Sequence, residues 1–198
     1  TAIREAVDGG DDLIQIDVNA HLAANVENLI LLGANDINGT GNVLSNQIVG
    51  NSGDNRLLGR GGVDVLQGAA GADLINGGTG VDYASYSGSD EAVVINLAKN
   101  TASGGDADGD RLISIENLYG SEFADTLIGN AAANLIGGKG GADTIDGGKG
   151  NDTLYGDDGK DTFIFAKGYG RDEIDDFALS GVSADRINLK GLTGMDTF

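Results

Sequence analysis

The sequence predicts an all-β chain wound as a right-handed parallel β-solenoid, a β-roll, and three observations predict it. A nine-residue period runs through two blocks, with frames opening at Gly41, Gly50, Gly59, Gly68 and Gly77, and again at Gly120, Gly129, Gly138, Gly147 and Gly156. The eighth position of each frame is apolar: Ile48, Leu57, Leu66, Ile75 and Ala84, then Leu127, Ile136, Ile145, Leu154 and Phe163. The sixth is always Asp or Asn: Asn46, Asn55, Asp64, Asp73 and Asp82, then Asp125, Asn134, Asp143, Asp152 and Asp161. A flexible glycine-rich linker would show neither column.

Each column has a physical task. Glycine at the first position, and at the fourth in Gly53, Gly62, Gly71, Gly80, Gly141, Gly150 and Gly159, lets the first six residues close a tight loop. The last three residues form a short strand with the eighth side chain inward and its neighbours outward. Thr126, Thr144, Thr153 and Thr162 at the seventh position suit an exposed strand. Two frames complete a turn of a flattened coil, and turns stack as parallel strands about 4.8 Å apart. Every second loop then shares an edge, so Asp64 lies above Asp82, Asn55 above Asp73, Asn134 above Asp152, and Asp125, Asp143 and Asp161 form one column.

The elements follow in chain order as one continuous roll over residues 1–198. Residues 1–40 supply N-terminal strands, with Leu13, Ile14, Ile16 and Val18 in the first, and Val26-Glu27-Asn28-Leu29 echoes Ile115-Glu116-Asn117-Leu118. Residues 41–85 are the first repeat block and 86–119 a strand-rich insertion, in which Val93, Ile95 and Leu97 alternate as a half-buried strand does. Residues 120–165 are the second block. Residues 166–198 carry DEIDDF (172–177) and DRINL (185–189), read as capping strands over the last apolar layer.

Composition bounds the function. The charge is −19, with 35 glycines and no Pro, Cys or Trp among 198 residues. Cysteine-based metal sites and disulfide scaffolds are excluded. Nucleic acid is an unfavourable partner for so negative a chain, and no apolar run reaches the roughly 20 residues of a membrane span. His21 is the single histidine, which leaves metalloprotease and Ser-His-Asp chemistry without parts. The chain is therefore read as non-enzymatic, any catalytic domain lying outside it.

Two carboxylates about 5 Å apart repel by roughly 3 kcal/mol at an effective dielectric near 20. Several stacked pairs would open the coil unless a cation lies between them. The available donors are carboxylates, amide oxygens and backbone carbonyls, a hard oxygen set that favours Ca2+, several ions in all, over Mg2+ or zinc. A second acidic group, Asp106, Asp108 and Asp110, has the alternating spacing of a chelating loop and equally that of a solvated turn.

The frames, of which GGKGNDTLY (147–155) is the clearest, resemble the RTX (repeats-in-toxin) haemolysin-type calcium-binding nonapeptide repeats. Residues 81–190 resemble the C-terminal β-roll of serralysin-type secreted proteases, through Tyr86-Ser87-Gly88, Ile95-Asn96-Leu97, Gly104-Gly105 and Ile115-Glu116-Asn117. The resemblance implies metal ligation by Asn55, Asp64, Asp73, Asp82, Asp125, Asn134, Asp143, Asp152 and Asp161. Loop carbonyls of Gly62, Gly71, Gly78, Gly80, Gly141, Gly148, Gly150 and Gly159 would complete the sites. Asn46, Asn55 and Asn134 replace Asp, and Leu44, Phe123 and Ala132 replace the fourth glycine, which marks the sites at Asn46 and Asn134 as weak or empty. The family's terminal secretion signal is not matched in MDTF (195–198), so a truncated end is expected.

The function so implied is a calcium-binding module of a larger extracellular bacterial protein, exported by type I machinery and folding on calcium afterwards. The alternative is a polysaccharide-binding or cell-surface adhesin module, for example an accessory to a polysaccharide-modifying enzyme. Its basic stripe would be Lys139, Lys149, Lys160, Lys167 and Arg171.

Overall fold

The structure is a computed structural model and describes residues 10–191; the tetrapeptide at 195–198 lies outside them. The coil is a parallel β-solenoid of about 9 turns with almost no helix. Its first wall is a single parallel sheet running, in spatial order, Leu13–Ile16, Asn28–Leu31, Gln47–Val49, Val65–Gln67, Tyr83–Ser85, Asn117–Tyr119, Leu135–Gly137, Thr153–Tyr155 and Glu173–Ile174. Within the blocks the register is one turn of 18 residues: Ile48 pairs with Leu66, Leu66 with Ala84, and Ile136 with Leu154.

The second wall is split. One part runs Ala20–His21, Gly39–Thr40, Arg56–Gly62, Leu74–Gly80 and Arg111–Ile113; the other runs Thr101–Ser103, Val94–Asn96, Thr126–Ile128, Thr144–Asp146, Thr162–Ala166 and Arg186–Lys190. The 86–119 insertion causes the split. After Tyr83–Ser85 the chain passes the next vacant place and pairs Val94–Asn96 with Thr126–Ile128. It returns through an antiparallel hairpin to Thr101–Ser103, then lays Arg111–Ile113 on Leu74–Gly80. The first wall advances by one strand over the same stretch, from Tyr83–Ser85 to Asn117–Tyr119.

The core is the eighth column. All ten of its side chains are fully buried, and Leu29, Ile95, Leu112 and Leu118 continue it outside the two blocks. Gly39 occupies the same column where the Leu29, Ile48 and Leu57 side chains close over it, so that an added Cβ would lie 3.0–3.4 Å from their methyl groups and require them to shift. At the C-terminal end Phe163 packs on Phe177 with ring centroids 6.1 Å apart, and Ile174 joins the same layer. The segments read as caps are therefore strands of the last turn: Glu173–Ile174 pairs with Thr153–Tyr155, and Arg186–Lys190 with Thr162–Ala166.

Candidate metal centres

The sixth-position residues form two ladders, one along each edge. In each step the backbone N–H of one residue donates to the Oδ1 of the residue a turn later. Asn46 donates to Asp64 at 2.7 Å, Asp64 to Asp82 at 2.9 Å, Asn55 to Asp73 at 2.7 Å, Asp125 to Asp143 at 2.8 Å and Asp143 to Asp161 at 2.8 Å. The carboxylate thus clips successive turns together with one oxygen.

The other oxygen is left over. In Asp64, Asp73, Asp82, Asp143, Asp152 and Asp161, Oδ2 is buried without a hydrogen-bond partner. A buried anionic oxygen with no donor is costly. Each points at the first glycine of its own frame: a Cβ on Gly68 would fall on Asp73 Oδ2, and one on Gly138 on Asp143 Oδ2. The glycine keeps open the space into which the oxygen faces. Gly68→Ala is expected to displace that carboxylate and remove one calcium from the count obtained by calorimetry.

Burial also pushes these carboxyls up in pKa, from 3.8 to about 6 in Asp64, Asp152 and Asp161 and to about 7 in Asp73 and Asp143. The donated backbone N–H opposes the shift, and neighbouring acids add to it. Raised carboxyls make the metal-free coil bind protons more tightly than the unfolded chain does. Their contribution to its stability is complete below the unfolded value of 3.8 and is lost as pH rises through 6 to 7. In chelator, circular dichroism is expected to show β-structure growing as pH falls from about 7.5 to about 4.5. Loss of β-structure on that acidification would contradict it.

These oxygens fit a hard cation. Among the described residues no three acidic or histidine side chains converge on one point, so backbone oxygens must complete any site. The glycines expected to supply them sit in stacked loops, with Gly78 in register with Arg60, Gly80 with Gly62, and Gly159 with Gly141. The second residue of these loops has positive φ even where it carries a side chain: Arg60 81°, Ala69 65°, Lys139 80° and Asp157 61°. That conformation costs about 1–2 kcal/mol per non-glycine residue.

The structure uses Asn55, Asn134 and Asp125 otherwise than as open ligands. Asn55 Nδ2 donates to the Ile37 carbonyl at 2.8 Å, and Asn134 Nδ2 to the Glu116 carbonyl at 2.6 Å. Both side chains are spent on protein partners, because an amide brings its own donor. Asp125 accepts from both the N–H and the hydroxyl of Ser121, so neither of its oxygens is orphaned. The acidic group of the insertion is also divided. Asp110 turns inward, its Oδ1 accepting the Asp73 N–H at 2.7 Å and its Oδ2 the buried Tyr86 hydroxyl at 2.9 Å. Asp106 and Asp108 instead line an open depression with Asp90 and Glu91. The three do not form one chelating loop.

Asp110 is in fact the ladder residue of the inserted turn, and other ladder members had escaped the period. Glu116 accepts the Asp82 N–H at 2.9 Å, Asp172 that of Asp152 at 3.1 Å and Asp185 that of Asp161 at 3.0 Å. The signal was present as an acid, any residue, then an apolar one, in Asp110-Arg111-Leu112, Glu116-Asn117-Leu118, Asp172-Glu173-Ile174 and Asp185-Arg186-Ile187. Elsewhere, His21 is exposed on its short strand. Lys139 lies over the Tyr119 ring, 5.7 Å from its centroid, in a depression shared with Glu122, Asp157 and Asp158.

A family model described as RTX calcium-binding nonapeptide repeat (4 copies) matches residues 45–84, 114–143 and 137–172, half of the chain in all. No curated protein matches the chain. Among solved structures it is similar to the extracellular lipase LipA from Serratia marcescens, at 21% identity and a TM-score of 0.31, over 79% of this chain and 33% of that one. The chain thus spans about a third of the lipase's length. With half its length matched by the repeat and the ladder geometry in place, the chain belongs to the RTX calcium-binding nonapeptide repeat family.

Proposed function

We propose that the chain is a calcium-folded module of a larger extracellular protein, held unfolded where calcium is scarce and closed where it is plentiful. The observation that carries this reading is the set of buried, partnerless Oδ2 atoms in Asp64, Asp73, Asp82, Asp143, Asp152 and Asp161. These six carboxylates, with carbonyls of Gly62, Gly71, Gly78, Gly80, Gly141, Gly148, Gly150 and Gly159, hold the ions. Bound calcium supplies the positive charge that turns carboxylate repulsion into ligation. The chain itself supplies the rest: the ladder of N–H donors orients each carboxylate, the first glycine keeps its pocket clear, and the eighth column excludes water behind it.

Each site filled at 100 times its dissociation constant adds about 2.7 kcal/mol to folding. Family membership makes export by type I machinery the natural route, since an unfolded, calcium-free chain threads a channel. The absence of Cys and Pro frees refolding from disulfide exchange and slow isomerisation. Calcium titration followed by circular dichroism tests the reading: β-structure is expected to rise cooperatively with calcium at neutral pH. Equal β-structure in chelator and in excess calcium would overturn it. The polysaccharide reading draws little support from the surface, because acids interrupt the basic residues around Lys139.

A further inference from the structure

The repeat loops are of two kinds. In six of them, opening at Gly59, Gly68, Gly77, Gly138, Gly147 and Gly156, the second residue has positive φ and the sixth is an Asp with an orphaned oxygen. In the other four the second residue is Asn42, Asn51, Ser121 or Asn130, and none has positive φ. There the second residue's N–H donates back to the sixth side chain: Asn42 to Asn46, Asn51 to Asn55 and Asn130 to Asn134, each at 2.8 Å, and Ser121 to Asp125 at 2.5 Å.

The three asparagines then complete a circuit. Nδ2 of Asn46, Asn55 and Asn134 donates to a backbone carbonyl of the turn below, that of Glu27, Ile37 and Glu116 respectively. It also donates to the Oδ1 of the second-position Asn, at 3.3, 2.8 and 3.2 Å. An amide N–H2 therefore meets oxygens on both sides, as a cation would.

We propose that these four loops are metal-free closures, in which an amide or hydroxyl donor replaces calcium, and that each repeat block opens with a pair of them, one on each edge, before three calcium-binding loops. The proposal rests on the calcium reading above and adds which loops take no ion. The order is the same in both blocks: closed at Gly41 and Gly50, then open at Gly59, Gly68 and Gly77; closed at Gly120 and Gly129, then open at Gly138, Gly147 and Gly156. It also accounts for Leu44, Phe123 and Ala132 at the fourth position. Leu44, Phe123 and Ala132 lack positive φ, so glycine's conformational freedom is not needed at those positions; Gly53 lacks it too, but there a Cβ would fall on the Asn35 carbonyl. Two neighbouring features repeat as well: Glu27 and Glu116 each accept the ladder N–H from the turn below, and Asn25 and Ser114, two residues earlier, both have positive φ.

Two sets of substitutions in the full chain test this by exchanging the loop kinds. Asn130→Gly, Ala132→Gly and Asn134→Asp turn GNAAAN (129–134) into the pattern of GAAGAD (68–73). Gly148→Asn and Asp152→Asn turn GGKGND (147–152) into the pattern of GNSGDN (50–55). Calorimetry with calcium chloride is expected to count one more ion in the first variant and one fewer in the second. The second is also expected to keep more β-structure in chelator. A wild-type chain that binds no calcium overturns the functional reading itself. A wild type that binds calcium, with counts unmoved in both variants, overturns this inference alone. NMR of the wild-type side-chain amides is independent of any variant's folding. The Nδ2 protons of Asn46, Asn55 and Asn134 are expected to be hydrogen-bonded and slow to exchange in the calcium form; free, rapidly exchanging amides would overturn the inference.

Discussion

Asp143→Asn is expected to weaken the protein in calcium and to strengthen it in chelator. The amide keeps an Oδ1 to accept the Asp125 N–H, so the ladder step survives. What changes is the second oxygen, which is partnerless in the native chain. In calcium its replacement removes an anionic ligand, and full loss of that ion costs about 2.7 kcal/mol at 100 times the dissociation constant. In chelator the same carboxyl is a burden: burial, then Asp125, Asp161 and Asp157, drive its pKa to about 7. A neutral amide lifts that burden. Urea melts at neutral pH, with calcium and with chelator, check the reversal of sign. A shift in the same direction under both conditions would show that the carboxylate is a structural acceptor and not a ligand.

Phe163→Ala is expected to give the largest loss from a single core truncation. Phe163 is fully buried in the eighth column, with Ile145 beside it on one side, Ile187 on the other, and the Phe177 ring across the end of the coil. Removing a buried Phe side chain costs about 3–5 kcal/mol. For a chain of this size that is a fall in melting temperature of roughly 10 °C. Phe123→Ala is the control, since Phe123 is 44% exposed in a loop and should shift little. Equal effects of the two in calcium-saturated thermal melts would mean that the last turn does not seal the core.

The coil and its inward column were legible because a period reports geometry directly. Once Leu66 and Ala84 are known to be two frames apart, their pairing follows. The ladder was legible only where the count held. Glu116 lies 34 residues from Asp82, Asp110 lies 37 from Asp73, and Asp185 lies 24 from Asp161, so insertions hid residues that the fold restores to the same columns. The two loop kinds were written in the sequence at Asn42, Asn51, Ser121 and Asn130, but the meaning of a second-position Asn depends on a φ angle and a carbonyl from the turn below. The strand exchange in the insertion was not legible at all. Val93, Ile95 and Leu97 mark a strand, yet nothing in their alternation says which neighbour it joins.

That exchange bears on how the chain acquires its order. Within the blocks each turn rests on the one made 18 residues before it, so growth there needs only nearest neighbours and can run as a zipper from either end. At the insertion the order along the chain and the order in space disagree, because Val94–Asn96 is synthesised before Arg111–Ile113 but lies beyond it in the stack. A front advancing from the N-terminal side must leave a gap there and fill it later. A front from the C-terminal side meets the same inversion, since along the chain it comes to Arg111–Ile113 before Val94–Asn96 while the strand that receives Arg111–Ile113, Leu74–Gly80, is still to be laid down. The insertion thus interrupts nearest-neighbour growth from either end, an obstacle that the repeats alone do not possess.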